Sequence, residues 1–324
     1  MKNKKRNVTV AMLSALVLMA GGQVLAAEET EIASEETTIL AEEAALPTED
    51  RAGNEITVPE EITKVISMAP STSEVLEELG LTDLLVAVDT YTPYYVENTA
   101  ELPQFDMMAP DCETMLSLDP DIVFVTGMSY VGGENPFQEL INAGVCLVEI
   151  PSSNSIADIQ EDVQFISDCF GMSEEGAAVV ETMQEKIDEI AAIGETITEK
   201  KTVMFETSAL PYLYSFGSGV YLNEMLELIG AENVFADQES WISVTEEVAI
   251  AANPDVILTS VDYVEDPVGE ILARVGWEDI TAVKNEAVYQ IDSSSSNQPN
   301  HNIVIALEQM AKAVYPEEYA EIGE

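Results

Sequence analysis

Residues 173–194 read SEEGAAVVETMQEKIDEIAAIG, and the fold turns on how this stretch is understood. Val180, Met183, Ile187, Ile190 and Ala191 recur at spacings of three and four, while Glu181, Gln184, Glu185 and Asp188 fill the other face. That pattern predicts one amphipathic helix. At about 1.5 Å of rise per residue it is on the order of 30 Å long, the width of a small domain. The chain on its two sides looks like one plan written twice, so the helix, with boundaries at 173–195, reads as a strut between lobes rather than a piece of either core.

Working outward, the upstream half (54–172) alternates short apolar runs with helical patterns. Strands are expected at 64–68, 84–88, 121–125 and 146–150, with helices from Ser71 to a stop at Gly80, over 111–118, over 136–143 and over 155–169. The downstream half (196–324) restarts the scheme with strands at 201–205, 255–258 and 287–291. Its helices are expected at 222–229, 245–252, 268–274 and 302–315, with 292–299 as a loop. Buried strands alternating with helices imply parallel sheets with helical crossovers. The echo between halves can be quoted. Glu74-Val-Leu-Glu-Glu-Leu-Gly80 matches Glu224-Met-Leu-Glu-Leu-Ile-Gly230, and Glu113 precedes Pro120-Asp121 as Glu247 precedes Pro254-Asp255. The expected fold class is α/β, two lobes joined by a single long helix.

Composition narrows the function. Against 61 Asp+Glu there are only 12 Lys+Arg, a net charge of −49. Such a surface repels phosphate backbones and anionic lipid, which excludes nucleic acid and charge-driven membrane binding and favours basic partners. Residues 1–26 have the three parts of an export signal: a basic start, an apolar run over 8–20, and Val24-Leu25-Ala26 as a cleavage site. Residues 27–53, acidic and Ala-rich, are expected to be a disordered linker. Cys112, Cys146 and Cys169 are too few and too scattered for a disulfide framework and read first as buried thiols, second as one disulfide with a cysteine left over.

A lone histidine, His301, rules out a metal site of several imidazoles and leaves little for a Ser-His-Asp triad. It reads first as a loop residue or helix cap beside Asn300 and Asn302, and second as an axial ligand to a bound chelate. Aromatic residues collect after strand ends: Tyr91, Tyr94 and Tyr95, then Tyr130, then Tyr212 and Tyr214, with Trp241 ahead of the helix carrying Glu247. In open α/β sheets the carboxyl ends of the strands face the ligand crevice, so these rings are expected to line one cleft. Glu113 and Glu247 open helices at matching places on the two lobes. That suits docking to a basic partner better than catalysis.

These residues resemble the substrate-binding proteins of bacterial ABC importers for metal chelates, the group with cobalamin, ferric siderophore and haem receptors. The resemblance covers about 54–315. It is carried by Ile66-Ser-Met-Ala-Pro70-Ser-Thr-Ser-Glu74, by Glu113 ahead of Leu118-Asp-Pro120-Asp121, and by Asn223-Glu224 through Asn233-Val-Phe235 with Glu247 ahead of Pro254-Asp255. It implies two Rossmann-like lobes around a ligand, no catalysis and no resident cofactor. The implied partners are a permease with its ATPase, met by Glu113 and Glu247, and the protein is expected to act as a monomer. Ligand contacts implied are Pro70, Ser71, Tyr91, Tyr94, Tyr95, Met107, Tyr130, Tyr212 or Tyr214, Trp241, Ser295, Asn297 and His301. No lipobox cysteine stands in Leu18-Met19-Ala20-Gly21, a departure that puts lipid anchoring in doubt, and the expected location is secreted, extracytoplasmic and cell-surface associated. Arg274 is the one arginine beyond Arg6 and Arg51, which favours a corrinoid over haem or a siderophore. A secreted sensor or adhesin and a chelate-modifying enzyme are the competing classes.

Overall fold

The computed structural model describes residues 45–130 and 135–323. The export signal and residues 27–44 of the acidic linker lie outside them. Residues 45–53 depart from the linker expectation. The Asp50 carboxylate accepts from the backbone N–H groups of Ala52, Asn54 and Glu149, at 3.0, 2.8 and 2.9 Å, and Arg51 pairs with Asp162 at 2.7 Å. Those bonds fasten the segment to the first half.

The first half contains β1 (Val65–Ser67), α1 (Pro70–Glu78), β2 (Leu85–Asp89), β3 (Gln104–Phe105), α2 (Cys112–Ser117), β4 (Ile122–Thr126), α3 (Gln138–Ala143), β5 (Cys146–Ile150) and α4 (Ile156–Cys169). Its sheet is parallel throughout, in the order β3-β2-β1-β4-β5. Next comes α5 (Ser173–Gly194). The second half contains β6 (Thr202–Glu206), β7 (Tyr214–Phe216), α6 (Tyr221–Leu228), β8 (Glu232–Asn233), β9 (Trp241–Ser243), α7 (Glu246–Ala252), β10 (Val256–Thr259), α8 (Pro267–Leu272), α9 (Thr281–Lys284), β11 (Val288–Gln290), α10 (Ser293–Asn297) and α11 (Ile303–Val314). Its main sheet is parallel, ordered β11-β10-β6-β8, and β7 pairs antiparallel with β9. Two parallel Rossmann-like sheets joined through one long helix are therefore the architecture.

The sequence echo has a physical basis. Asp121 Oδ2 accepts from the backbone N–H groups of Thr63 and Lys64 at 2.7 and 2.9 Å, tying the start of β4 to the approach to β1. Asp255 Oδ2 does the same for the start of β10 and Thr202 of β6 at 2.9 Å. The residues before each Pro, Asp119 and Asn253, adopt left-handed backbone (φ 56° and 45°) that ends the preceding helix. Gly80 and Gly230 end α1 and α6 with matching closures, Leu81 N–H to Leu76 O and Ala231 N–H to Leu226 O at 2.8 and 2.9 Å. One glycine or Pro-Asp step is common; the pairs are the same joints used twice.

The strut expectation needs correcting. Met183, Ile187 and Ile190 of α5 are buried in one apolar core with Ile159 and Val163 of α4 and with Leu226, Leu307 and Met310 of the second half. Tyr319 reinforces this, its hydroxyl lying 3.3 Å from Ile190 O and 3.1 Å from Ile229 O. The reason is the apolar stripe itself, which only burial satisfies. Two further differences concern local structure. Residues 293–297 form a helical turn capped by Asp292, whose carboxylate accepts from Ser295 N–H at 2.7 Å. Tyr214 and Trp241 lie in the β7/β9 ribbon rather than on loops.

Where α5 ends it crosses the end of α6 at Gly194, and a Cβ there would collide with the carbonyl of Leu228. Gly194→Ala should destabilise the protein by about 1–3 kcal/mol, the usual effect of overpacking. Urea unfolding measures it, and a loss under about 0.5 kcal/mol would show that this crossing is not tight.

Candidate functional site

Loops at the carboxyl ends of the strands build a cavity of about 940 Å³ with walls from both halves. Tyr91, Tyr94 and Tyr95, after β2, form one wall. Asp262 and Tyr263 after β10, and Asp292 to Ser294 after β11, form the other, with Gln290 and Gln309. The first wall is held by Asp89 at the end of β2, whose buried carboxylate accepts from Tyr91 N–H at 2.8 Å. Burial pushes the Asp89 carboxyl up, against the pull of backbone N–H groups of Tyr91, Thr90 and Met107. On the second wall the Tyr263 hydroxyl accepts from Ala209 N–H at 2.9 Å and sits 3.2 Å from Ser208 Oγ, joining the β10 and β6 loops.

The structure brings some expected residues to this cavity and not others. Tyr91, Tyr94 and Tyr95 line it. Among the described residues, Pro70, Ser71, Met107, Tyr130, Tyr212, Tyr214, Trp241, Ser295, Asn297 and His301 are not in its lining. Tyr212 is 76% exposed, and Trp241 packs edge-on against Phe216 with ring centroids 5.9 Å apart. Tyr130 packs against Phe137, and burial with the nearby Glu149 and Asp50 charges raises its phenol. Asn297 accepts from Ser260 Oγ at 3.1 Å, and Ser295 is buried within its helical turn. His301 has a side chain only 13% exposed, with Nε2 3.6 Å from Glu78. Burial lowers its pKa, opposed by Glu78. The imidazole therefore sits in the seam between halves rather than facing the cavity.

Tyr263, Asp262 and Gln290 escaped the sequence reading. Tyr263 obeys the rule that found the other tyrosines, since it follows the strand ending at Thr259.

Charge in the site is one-sided. Arg274 is committed elsewhere: buried, it contacts Glu206 at 2.6 Å, pairs with Glu270 and lies 4.6 Å from the Trp277 ring centroid. No lysine or arginine among the described residues lines the cavity, whereas Asp262 and Asp292 do. Glu113 and Glu247 stand away from it. Each is exposed in the first turn of a helix, α2 or α7, entered through a side-chain cap from Asp111 or Thr245. Backbone and Thr245 hydrogen bonds hold the Glu247 carboxyl low.

The sequence from 65 to 295 matches the profile of the periplasmic binding protein family. The chain belongs to that family. Members of it are transport substrate-binding proteins rather than enzymes, and they work outside the cytoplasm. This periplasmic binding protein is 29% identical over 275 residues to an uncharacterized ABC transporter substrate-binding lipoprotein, YvrC, of Bacillus subtilis, covering 84% of this chain and 86% of that protein. It is 25% identical over 276 residues to a cobalamin-binding protein of Halobacterium salinarum, covering 82% and 73%. Its fold superposes on the molybdate-bound MolA of Haemophilus influenzae with a TM-score of 0.73 at 22% identity, over 86% of this chain and 94% of that one. No described helix is long and apolar enough to cross a membrane.

Beside the cavity, Glu74 is 5% exposed and has three neutral donors: Asn300 Nδ2 at 2.7 Å, Asn302 Nδ2 at 3.2 Å and Ser294 Oγ at 3.5 Å. Burial raises its pKa from 4.5 to about 7, the three donors opposing. The folded chain thus holds this proton more tightly than the unfolded one. The resulting stability is whole below about 4.5 and is lost as pH rises through about 7. Thermal melts between pH 4.5 and 8 should show Glu74→Gln losing less stability than the parent chain, by on the order of 2–3 kcal/mol. Parallel pH profiles would overturn this account of Glu74.

Proposed function

We propose that this protein is the extracytoplasmic substrate-binding component of an ABC importer, which takes a metal chelate, a corrinoid in first place, between its halves and delivers it to the permease. The observation that carries this reading is the cavity itself: about 940 Å³, walled by tyrosines from both halves and, among the described residues, without a cationic side chain. That volume is at the upper end for small-molecule sites and suits a large ligand. Tyrosine rings supply apolar faces with polar tips, and a corrin ring edged with amides has a matching surface. Gln290, Gln309, Ser293 and Ser294 can donate to and accept from such amides.

Charge supports the corrinoid over the alternatives. Molybdate, the propionates of haem and a catecholate siderophore are all anionic, and desolvating an anion without a partner costs several kcal/mol. Asp262 and Asp292 make that worse. A corrinoid or a neutral hydroxamate siderophore avoids the penalty. His301 has no place in this reading, since Glu78 and the seam occupy it.

Glu113 and Glu247 are assigned to docking. Both are exposed, both open the helix that precedes a central strand of their half, and neither touches the cavity. Paired at equivalent positions, they fit basic residues on a permease, with the binding protein acting as a monomer.

Thermal shift against cobinamide, cyanocobalamin, haemin, molybdate and ferric siderophores tests the ligand. A corrinoid at 100 times its dissociation constant should add about 2.7 kcal/mol of stability. Tyr91→Ala should then weaken it by about 1–2 kcal/mol, roughly five- to thirty-fold in affinity. Stabilisation by molybdate or haemin and not by corrinoids would reject the assignment. For docking, Glu113→Ala with Glu247→Ala should leave corrinoid affinity unchanged and abolish uptake by cells. Reduced affinity would show that the two acids serve the ligand site.

A further inference from the structure

The echoed glutamates do more than repeat a sequence. Glu74 lies on α1, the first helix of the first half, and Glu224 on α6, the corresponding helix of the second; each stands six residues before its terminating glycine. Glu74 accepts from Asn300 and Asn302, and Asn302 is the residue from which α11 starts. Asn300 also accepts from the backbone N–H of Asn302 at 2.8 Å, which fixes the pair. Glu224 Oε2 accepts from the backbone N–H of Ile156, the first residue of α4, at 2.8 Å. Helices α4 and α11 are the last regular helices of their halves. Each half therefore sends a carboxyl group from its first helix to the start of the other's last helix, Glu224 to a first-turn backbone N–H and Glu74 to the side-chain amides of Asn300 and Asn302.

We propose that Glu74 and Glu224 are crossed pins, positioning residues that fix the spacing of the two halves beside the ligand cavity. Among the described residues the chain passes between the halves through α5, whose apolar stripe both halves cover. That packing lies along one side of the molecule, and two side-chain crossings at separate points add restraint against rotation about the helix axis. The pins are not alike. Glu74 is buried and bonds Ser294 of the cavity lining, so it lies beside the cavity. Glu224 is only half-buried and holds a backbone amide. This inference goes beyond the transport reading, and no ligand enters its test.

The test is a distance measurement between spin labels on the full chain without ligand, at Asn142→Cys on α3 and at Val275→Cys, a position 90% exposed. The three native thiols are buried. With one pin left, Glu74→Ala or Glu224→Ala should broaden the distance distribution slightly. With both removed the width should rise at least twofold, more than the single changes summed. Glu224→Gln, which keeps an acceptor oxygen, should restore the parent width. A purely local role would lower the melting temperature additively and leave the width unchanged, and that result overturns the proposal. Should the double variant fail to fold, Glu224→Ala alone decides. Exchange of the Ile156 amide should then quicken at least tenfold with measurable broadening, and an unchanged width rejects the pins.

Discussion

Met183, Ile187 and Ile190 carry the apolar stripe of α5 into a core that both halves share, and this packing constrains how the rest of the molecule is arranged. A helix bridging two self-contained lobes would leave each lobe to close its own interior. Here removing α5 would expose apolar faces on α4, α6 and α11 together, so the halves gain stability from the same buried surface. Large hinge opening would tear that surface. Gly194, set against Leu228, and Tyr319, whose hydroxyl meets carbonyls of α5 and of the end of α6, both depend on the helix staying where it is. Limited lobe movement is the mechanical consequence.

What could be read from the sequence followed from how local its causes are. Pro120-Asp121 and Pro254-Asp255 were visible because a left-handed residue, a proline and a strand-stitching aspartate are neighbours in the chain. Gly80 and Gly230 were visible for the same reason, as helix stops. The β7/β9 ribbon was not, because its pairing joins residues some 25 positions apart and Tyr214 offers no local sign of which partner it takes. The turn at 293–297 was hidden by four consecutive serines, which favour loops until Asp292 caps them.

The cavity shows the same division. Clustering tyrosines after strand ends pointed to Tyr91, Tyr94 and Tyr95, which do line the cavity, since the position of a βα loop follows from the sheet. Tyr130 satisfied the rule equally well and yet turns toward Glu149 and Phe137. Side-chain direction depends on tertiary neighbours, and the strand pattern carries no information about those. His301 illustrates the limit most sharply. Its first reading, as an exposed loop residue or cap, missed its burial against Glu78 across the inter-half seam, a contact that no local pattern announces.

Charge bears on both the cavity and the proposed docking pair. Of the eight basic residues after the first six positions, Arg51, Lys64, Lys186, Arg274, Lys284 and Lys312 are held by carboxylates, and Lys201 bonds Val314 O and lies over the Tyr315 ring. Most of the sparse positive charge is thus used internally, and the acid surplus faces solvent. A surplus spread so widely attracts any basic surface but cannot choose a register, because screening at physiological salt erases detail beyond about 8 Å. Choice of register must come from acids whose positions are fixed by the fold. Glu113 and Glu247 meet that condition, each in the first turn of a capped helix and eight residues before the aspartate that stitches the next strand of its half. In the docking proposed above, the diffuse field would bring the partner in and these two points would align it.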